Sequence, residues 1–164
     1  MTQINHPLFD AFREDHAVLG RGLHELRSLV QTDDIMALKT AAQKLDQAVG
    51  AHIAFEEEDF YPALQAFLSR QEVEQMYAEH AHGAETLVQI AALDDTAKLD
   101  DVSRNQLLDR IDEMEKHVSE CGELFGALGG LDEKQKSEIL EKLIRWREVA
   151  PIWTEYAQEK PDNG

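Results

Sequence analysis

The segment AHIAFEEEDFYP, residues 51–62, places a histidine and a glutamate one helical turn apart on an apolar helix face. His52 and Glu56 are four residues apart, so in an α-helix Glu56 lies on the same side, about 6 Å further along the axis. Burying a carboxylate beside imidazole rings is costly unless the carboxylate meets a cation. This pair therefore points to a cation site inside a helical fold. The acidic residues that follow are interpreted as a solvated rim: Glu57, Glu58 and Asp59.

Apolar residues recur at alternating steps of three and four along four long segments, which is the pattern of helices buried on one side. No segment has the strict alternation of a β-strand, and glycine and proline gather between the long segments. The predicted fold is all-α: an up-down-up-down four-helix bundle with an additional C-terminal helix. Residues 1–130 are expected to form the bundle. Residues 131–164 are expected to add a helix packed on it, or used in a dimer contact, and a frayed tail.

Capping chemistry predicts where the helices begin and end. Ser69 with Glu72, and Ser103 with Gln106, fit capping boxes that open the third and fourth helices. The other predicted boundaries are a start near Asn5 with Pro7 in the first turn, a cap at Asp33, an interruption at Pro62, a box at Asp132 with Gln135, and a break near Pro151.

Each of the four predicted bundle helices directs one histidine at or beside its apolar face, near the middle of the helix. These histidines are His16, His52, His80 and His117. A single histidine in such a position is usually a core residue with a hydrogen-bond partner. Four at matching depth would each need a buried partner, and the simplest common partner is a metal ion, which imidazole binds readily.

The two halves of the chain repeat each other. His16 and His80 are 64 residues apart, and His52 and His117 are 65 residues apart. Two helical hairpins related by a pseudo-twofold axis, each offering one histidine per helix, have the geometry expected for a dinuclear centre. Further pairs at this spacing are Asp15 with Glu79, and Glu56 with Cys121.

On these residues the chain resembles the hemerythrin-like family, also called the HHE cation-binding domain. The family pattern is a His in helix 1, His-x-x-x-Glu in helix 2, a His in helix 3 and a second His-x-x-x-Glu in helix 4. The matching residues, within about residues 5 to 128, are Asp15-His16, His52-Ile-Ala-Phe-Glu56, Glu79-His80 and His117. The resemblance implies a non-haem iron centre, commonly two ions bridged by carboxylate and by oxo or hydroxo groups. Members of this family bind or sense dioxygen, or handle iron, nitric oxide and related oxidants.

The sequence departs from the family pattern at two positions. Cys121 stands where the second carboxylate would be, and Ala84 stands where oxygen-carrying hemerythrins have an additional ligand. Three interpretations of Cys121 stay open: a small apolar filler, a thiolate ligand that favours a softer ion, or a redox-sensing thiol beside the metal. The predicted cofactor is iron as a pair of ions, with one iron or zinc as alternatives. The predicted metal ligands are His16, His52, Glu56, His80, His117 and Cys121.

Composition argues against several other classes of protein. The net charge of −17 repels phosphate backbones and anionic lipid, so neither nucleic acid nor a membrane is an expected partner. A single cysteine excludes an intramolecular disulfide, and the N-terminal residues MTQINHPLFD lack the features of a signal peptide. We therefore expect a cytoplasmic monomer or homodimer.

The leading hypothesis is a protein that binds or senses dioxygen or nitric oxide, or handles iron, at a carboxylate-bridged iron site. One alternative is an iron-dependent oxidoreductase acting on peroxide, superoxide or nitric oxide. The other is a degenerate bundle, metal-free or zinc-bound, that serves protein interaction.

Overall fold

The computed structural model describes residues 6–158, and nearly all of this range is helical. The long helices are α1 Pro7–Val30, α2 Ile35–Phe55, α3 Arg70–Ala91, α4 Asp101–Leu124 and α5 Glu133–Val149, followed by the short α6 Trp153–Gln158. Helix α2 continues into a π-helical turn, Glu56–Phe60, and a last turn, Tyr61–Ala63. A 3-10 helix, Phe125–Gly130, follows α4.

The first four helices close a ring, which confirms the predicted four-helix bundle. Helix α1 packs against α2 and α4, and α3 packs against the same two helices. Their apolar faces form two hydrophobic clusters, one containing Leu19, Leu23 and Ile111, the other containing Phe12, Phe55 and Phe60. Within residues 6–158, no helix has both the length and the apolar character that a membrane crossing requires.

Two of the predicted helix starts, at Ser69 and at Asp132, are confirmed by their hydrogen bonds. The structure also shows which residue caps α1. The hydroxyl of Ser69 accepts from the N–H of Glu72 at 3.1 Å, and the Glu72 carboxylate accepts from the N–H of Ser69 at 3.2 Å. Asp132 and Gln135 make the same reciprocal pair at the start of α5. The predicted start near Asn5 lies outside the described residues. Helix α1 begins at Pro7, and the ring of His6 caps it.

Two predicted caps are wrong by one and by three residues. Asp34, not Asp33, caps α2, since its carboxylate accepts from the N–H of Ala37 at 3.0 Å. Helix α4 begins before Ser103, whose N–H donates to Asp100 at 2.7 Å. A carboxylate is favoured at both places because it accepts a hydrogen bond and also interacts with the positive end of the helix dipole.

Pro62 does not end α2 abruptly, but changes the helix geometry one turn earlier. Proline has no N–H to offer the carbonyl of Glu58, and its ring crowds that carbonyl. The helix widens there into the π-helical turn, in which the N–H of Tyr61 donates to the carbonyl of Glu56. The widened turn buries consecutive residues, Glu56 and Glu57, and then Phe60 and Tyr61. Such single π turns are frequent at functional sites.

The chain after α4 folds back onto the bundle, and the predicted break near Pro151 is confirmed. Helix α5 packs on α2 and α1, and α6 packs on α2 and α3. Ala150 ends α5 in the left-handed region, with φ of 50°. We refer to residues 133–158 as the C-terminal segment.

Two glycines of the bundle let the C-terminal segment come close. A Cβ on Gly50 would lie 1.9 Å from the carbonyl oxygen of Pro151, and a Cβ on Gly83 would lie 2.4 Å from the Trp153 ring. Trp153 is buried, and its indole N–H donates to the carbonyl of His80 at 3.0 Å. The C-terminal segment is therefore packed directly against the helices that carry the central histidines.

Candidate metal centre

The four histidines lie in one layer of the bundle, between its two hydrophobic clusters. In each helix the apolar residues one turn before the histidine belong to one cluster and those one turn after it to the other. His52, His80 and His117 are 2%, 0% and 1% exposed, and His16 is slightly more accessible. The flanking pairs are Phe12 and Leu19, Val49 and Phe55, Met76 and Ala84, and Met114 and Cys121.

The carboxylate of Glu56 lies at the middle of this layer and is itself 1% exposed. Its Oε1 atom is 3.2 Å from Nε2 of His52 and 3.3 Å from Nε2 of His80. Its Oε2 atom is 2.5 Å from Sγ of Cys121 and 4.0 Å from Nε2 of His16. One carboxylate thus faces side chains from all the bundle helices.

The imidazoles form two similar pairs on either side of Glu56. The ring centroids of His16 and His52 are 4.6 Å apart, and those of His80 and His117 are also 4.6 Å apart. Both pairs meet edge to face, and Nε2 of His80 lies 2.9 Å from Nε2 of His117. This is the arrangement that the internal repeat predicts.

The outward nitrogen of each ring faces an oxygen atom, so that Nε2 is directed to the interior. Nδ1 of His16 is 3.0 Å from the carbonyl oxygen of Phe12. Nδ1 of His80 lies 3.8 Å from a carboxylate oxygen of Glu57, which is an ion-pair distance and too long for a hydrogen bond. For His16, the acceptor at Nδ1 favours the tautomer whose Nε2 has a free lone pair.

The other two rings are held by carboxylates from the neighbouring helix of the same hairpin. Nδ1 of His52 lies 3.2 Å from Asp15 Oδ2, and Nδ1 of His117 lies 2.5 Å from Glu79 Oε2. Asp15 and Glu79 are equivalent in the repeat. The sequence shows them beside His16 and His80, but not that each supports a histidine on another helix.

Five of the six predicted ligands form two overlapping groups that share Glu56. His16, Glu56 and Cys121 offer atoms that lie within 4.8 Å of one another, and so do Glu56, His80 and His117. Nε2 of His52 lies 3.2 Å from Oε1 of Glu56, the residue that both groups share. The structure therefore brings together every residue that the sequence predicts as a ligand.

Burial and the surrounding charges set the protonation of the metal-free site. Burial alone would raise the pKa of Glu56, but the imidazoles of His52 and His80 lower it well below its usual range. Burial alone would lower the pKa of His52, but Glu56 and Asp15 raise it to about 9. Burial lowers the pKa of His16 to about 4. Glu56 is therefore ionised in the metal-free protein, and the His52 imidazole beside it carries a proton.

Cys121 and Tyr61 complete the wall of the site beside Glu56. The Cys121 thiol is fully buried and donates to Glu56, and burial and that carboxylate raise its pKa. The Tyr61 hydroxyl lies 3.3 Å from Nε2 of His80 and 4.0 Å from Sγ of Cys121. The sequence offers packing as a sufficient explanation for Tyr61, but the π-helical turn brings its hydroxyl to the ligands.

The interpretation of residues 57–59 as a solvated rim is wrong for Glu57. Glu57 is 4% exposed, and its backbone carbonyl accepts from the Tyr77 hydroxyl at 2.9 Å. The widened turn places it next to Glu56 on the inner side. Asp59 is also partly covered, because its carboxylate accepts from the Trp146 indole at 2.7 Å, whereas Glu58 is exposed.

The remaining histidines do not join the cluster. His24 and His82 are exposed on α1 and α3. His6 is buried at the start of α1, where it caps the helix. Glu120, the carboxylate that precedes Cys121, is paired with Lys116 at 3.7 Å.

The donor set fits a transition-metal ion. Within residues 6–158, no atom completes a hydrogen bond to the buried Nε2 of His52, although Glu56 Oε1 lies 3.2 Å away. A metal ion bound by Nε2 would satisfy that nitrogen and meet the negative charge of Glu56 at the same time. Imidazole, carboxylate and thiol together are donors that iron and zinc accept.

A helical bundle with imidazoles around one buried carboxylate defines a class of proteins that bind metal ions between their helices. The family model of the hemerythrin HHE cation binding domain matches residues 8–121. This match covers more than half of the chain, and the chain belongs to that family. No curated protein and no solved structure matches the chain.

Proposed function

We propose that this protein is a non-haem iron-binding protein that binds or senses dioxygen or nitric oxide. The observation that carries this proposal is the convergence of four imidazoles on Glu56 in one buried layer. The residues that would hold the ions are His16, His52, Glu56, His80, His117 and Cys121.

Each half of the site has its own pair of rings. His16 and His52 would serve one ion, His80 and His117 the other, and Glu56 would lie between them. Two divalent ions bring four positive charges, against which Glu56 supplies one firm negative charge. Cys121 would supply a second negative charge when it binds as a thiolate.

The surroundings of the layer suit a small, uncharged ligand. When bound, reduced iron supplies an open coordination position for a diatomic molecule. The hydrophobic clusters on both sides exclude water from the layer. The Tyr61 hydroxyl is close enough to the ligand atoms to donate a hydrogen bond to a molecule held there.

The test is iron loading of the purified protein without oxygen, followed by metal analysis and visible spectra after exposure to dioxygen or nitric oxide. His52→Ala and Glu56→Ala should lose most of the bound iron, because each removes a buried donor. His24→Ala and His82→Ala are matched controls on exposed helix positions and should retain it. Unchanged iron content in both site variants would overturn the proposal.

Zinc is the second candidate metal, favoured by the thiol in one of the two ligand groups. Thiolate ligands select zinc and other soft ions more strongly than a second carboxylate does. Competition between iron and zinc for the metal-free protein distinguishes the two, and preference for zinc with no spectral response to dioxygen or nitric oxide would exclude the gas-binding function.

A further inference from the structure

Helix α5 lies outside the residues that the family model matches. Its Arg147 side chain nevertheless contacts Asp15, which in turn contacts the predicted ligand His52. Nη2 of Arg147 lies 2.9 Å from Oδ1 of Asp15 and donates to the carbonyl of Ala11 at 3.3 Å. The other oxygen of Asp15 lies 3.2 Å from Nδ1 of His52. Asp15 therefore connects the C-terminal segment to a central histidine.

The equivalent carboxylate in the other hairpin is anchored differently. Glu79 faces Nδ1 of His117 with one oxygen and accepts from the side-chain amide of Gln75, on its own helix, at 3.1 Å with the other. Asp15 and Glu79 thus contact their histidines in the same way, but residues from different parts of the chain anchor the two carboxylates. Within residues 6–158, the Asp15 support includes a contact from the C-terminal segment, whereas Glu79 is anchored within its own helix.

We propose that Arg147 is a positioning residue for His52, acting through Asp15, so that metal binding and docking of α5 stabilise each other. This inference rests on the proposed function. An acceptor at Nδ1 fixes the tautomer and the orientation of a histidine ligand. Arg147 fixes the acceptor in turn, because it holds the oxygen of Asp15 that His52 does not use. By linkage, metal that orders this chain of contacts must also strengthen the docking of α5.

The expected magnitude follows from the distance of Arg147 to the ligands. Loss of a partner that directly supports a ligand typically costs 10–100-fold in metal affinity. Arg147 acts one step further out and is 40% exposed, so we expect about a tenfold loss, at the lower end of that range. The same exposure means that a neutral replacement should still fold.

The experiment compares Zn²⁺ affinity by competition with a chelator in the full chain. Arg147→Gln is expected to bind about tenfold more weakly than the wild type. Arg147→Lys, which keeps the charge, should lie between the two. Lys142→Gln is the matched control, because Lys142 lies on the same helix but contacts Asp59, at 3.7 Å, and does not reach His52. It should bind Zn²⁺ within about twofold of the wild type, well below the loss expected of a ligand support.

A second measurement separates positioning from a general loosening of α5. In the Zn²⁺-loaded protein, the Nδ1–H resonance of His52 should shift in Arg147→Gln while that of His117 stays in place. Hydrogen exchange of residues 133–149 should slow on adding Zn²⁺ to the wild type, and much less in the variant. Equal affinity of the variant and the wild type, an equal loss in Lys142→Gln, or a shift of both histidine signals would overturn this inference alone. A wild-type chain that binds neither iron nor zinc would overturn the proposed function with it.

Discussion

Replacing Gly50 with alanine should destabilise this protein, although the same change stabilises most helices. Gly50 lies inside α2, where alanine is ordinarily favoured over glycine by about 0.5–1 kcal/mol. Here the added Cβ would lie 1.9 Å from the carbonyl oxygen of Pro151 and 2.7 Å from its carbonyl carbon. These are backbone atoms, so no rotamer change relieves the clash, and the C-terminal segment must move.

The loss of unfolding free energy depends on how far the C-terminal segment must move. Overpacking of a close contact costs about 1–3 kcal/mol. If Trp153 also leaves its buried position, the cost rises toward the roughly 3–5 kcal/mol of removing a large buried aromatic side chain. After subtracting the helix preference for alanine, we expect Gly50→Ala to lower the free energy of unfolding by about 0.5–2 kcal/mol, and by more if Trp153 is released.

The assay is urea unfolding followed by circular dichroism, with tryptophan emission as a second probe. Gly20→Ala is the control, because Gly20 lies inside α1 and an added Cβ there meets no atom within 4 Å. It should gain about 0.5–1 kcal/mol. The emission of Gly50→Ala should shift to the red in the native state as Trp153 loosens. If Gly50→Ala is stabilised as much as Gly20→Ala, the close packing of the C-terminal segment on α2 is refuted.

Two further predictions concern the metal. Zn²⁺ affinity should fall by about tenfold per pH unit, for each proton displaced, as the pH is lowered from 8 to 6. The reason is that the pKa of His52 is raised to about 9, so its proton must leave before Nε2 can bind the metal. An affinity that does not change with pH in chelator competition would contradict this. The Co²⁺-loaded protein should show a near-ultraviolet thiolate charge-transfer band that Cys121→Ser removes; a band that persists in the variant would exclude Cys121 as its source.

The bundle could be predicted from the sequence because its apolar spacing repeats without interruption over most of each helix. The sequence could not decide between neighbouring capping residues, as the choice of Asp34 over Asp33 shows, since both have the right chemistry. It also gave no sign that Gly50 and Gly83 receive the C-terminal segment, because a contact between distant parts of the chain leaves no local pattern. The division of the chain at residue 130 stays a prediction.

The site could be predicted as far as helical periodicity holds. The histidines and Glu56 follow the 3.6-residue period, so their common depth could be read from their positions. The prediction for Glu57 is wrong because the π-helical turn breaks that period. Pro62 was the available signal, since a proline within a helix disturbs the turn before it. That Asp15 supports His52 could not be foreseen, because the pairing depends on how α1 and α2 are rotated against each other.

The two hairpins agree in geometry and differ in charge, and this difference bears on function. Glu56 in the first hairpin has a thiol, Cys121, as its counterpart in the second. A guanidinium anchors the carboxylate behind His52, whereas a neutral amide anchors the one behind His117. The guanidinium holds Asp15, and through it the His52 ring, from a separate helix, whereas the amide holds Glu79 from within α3. The two halves therefore surround their histidines with different charges. Arg147 on α5 is part of that difference, so the C-terminal segment contributes to the charges around the site as well as to its packing.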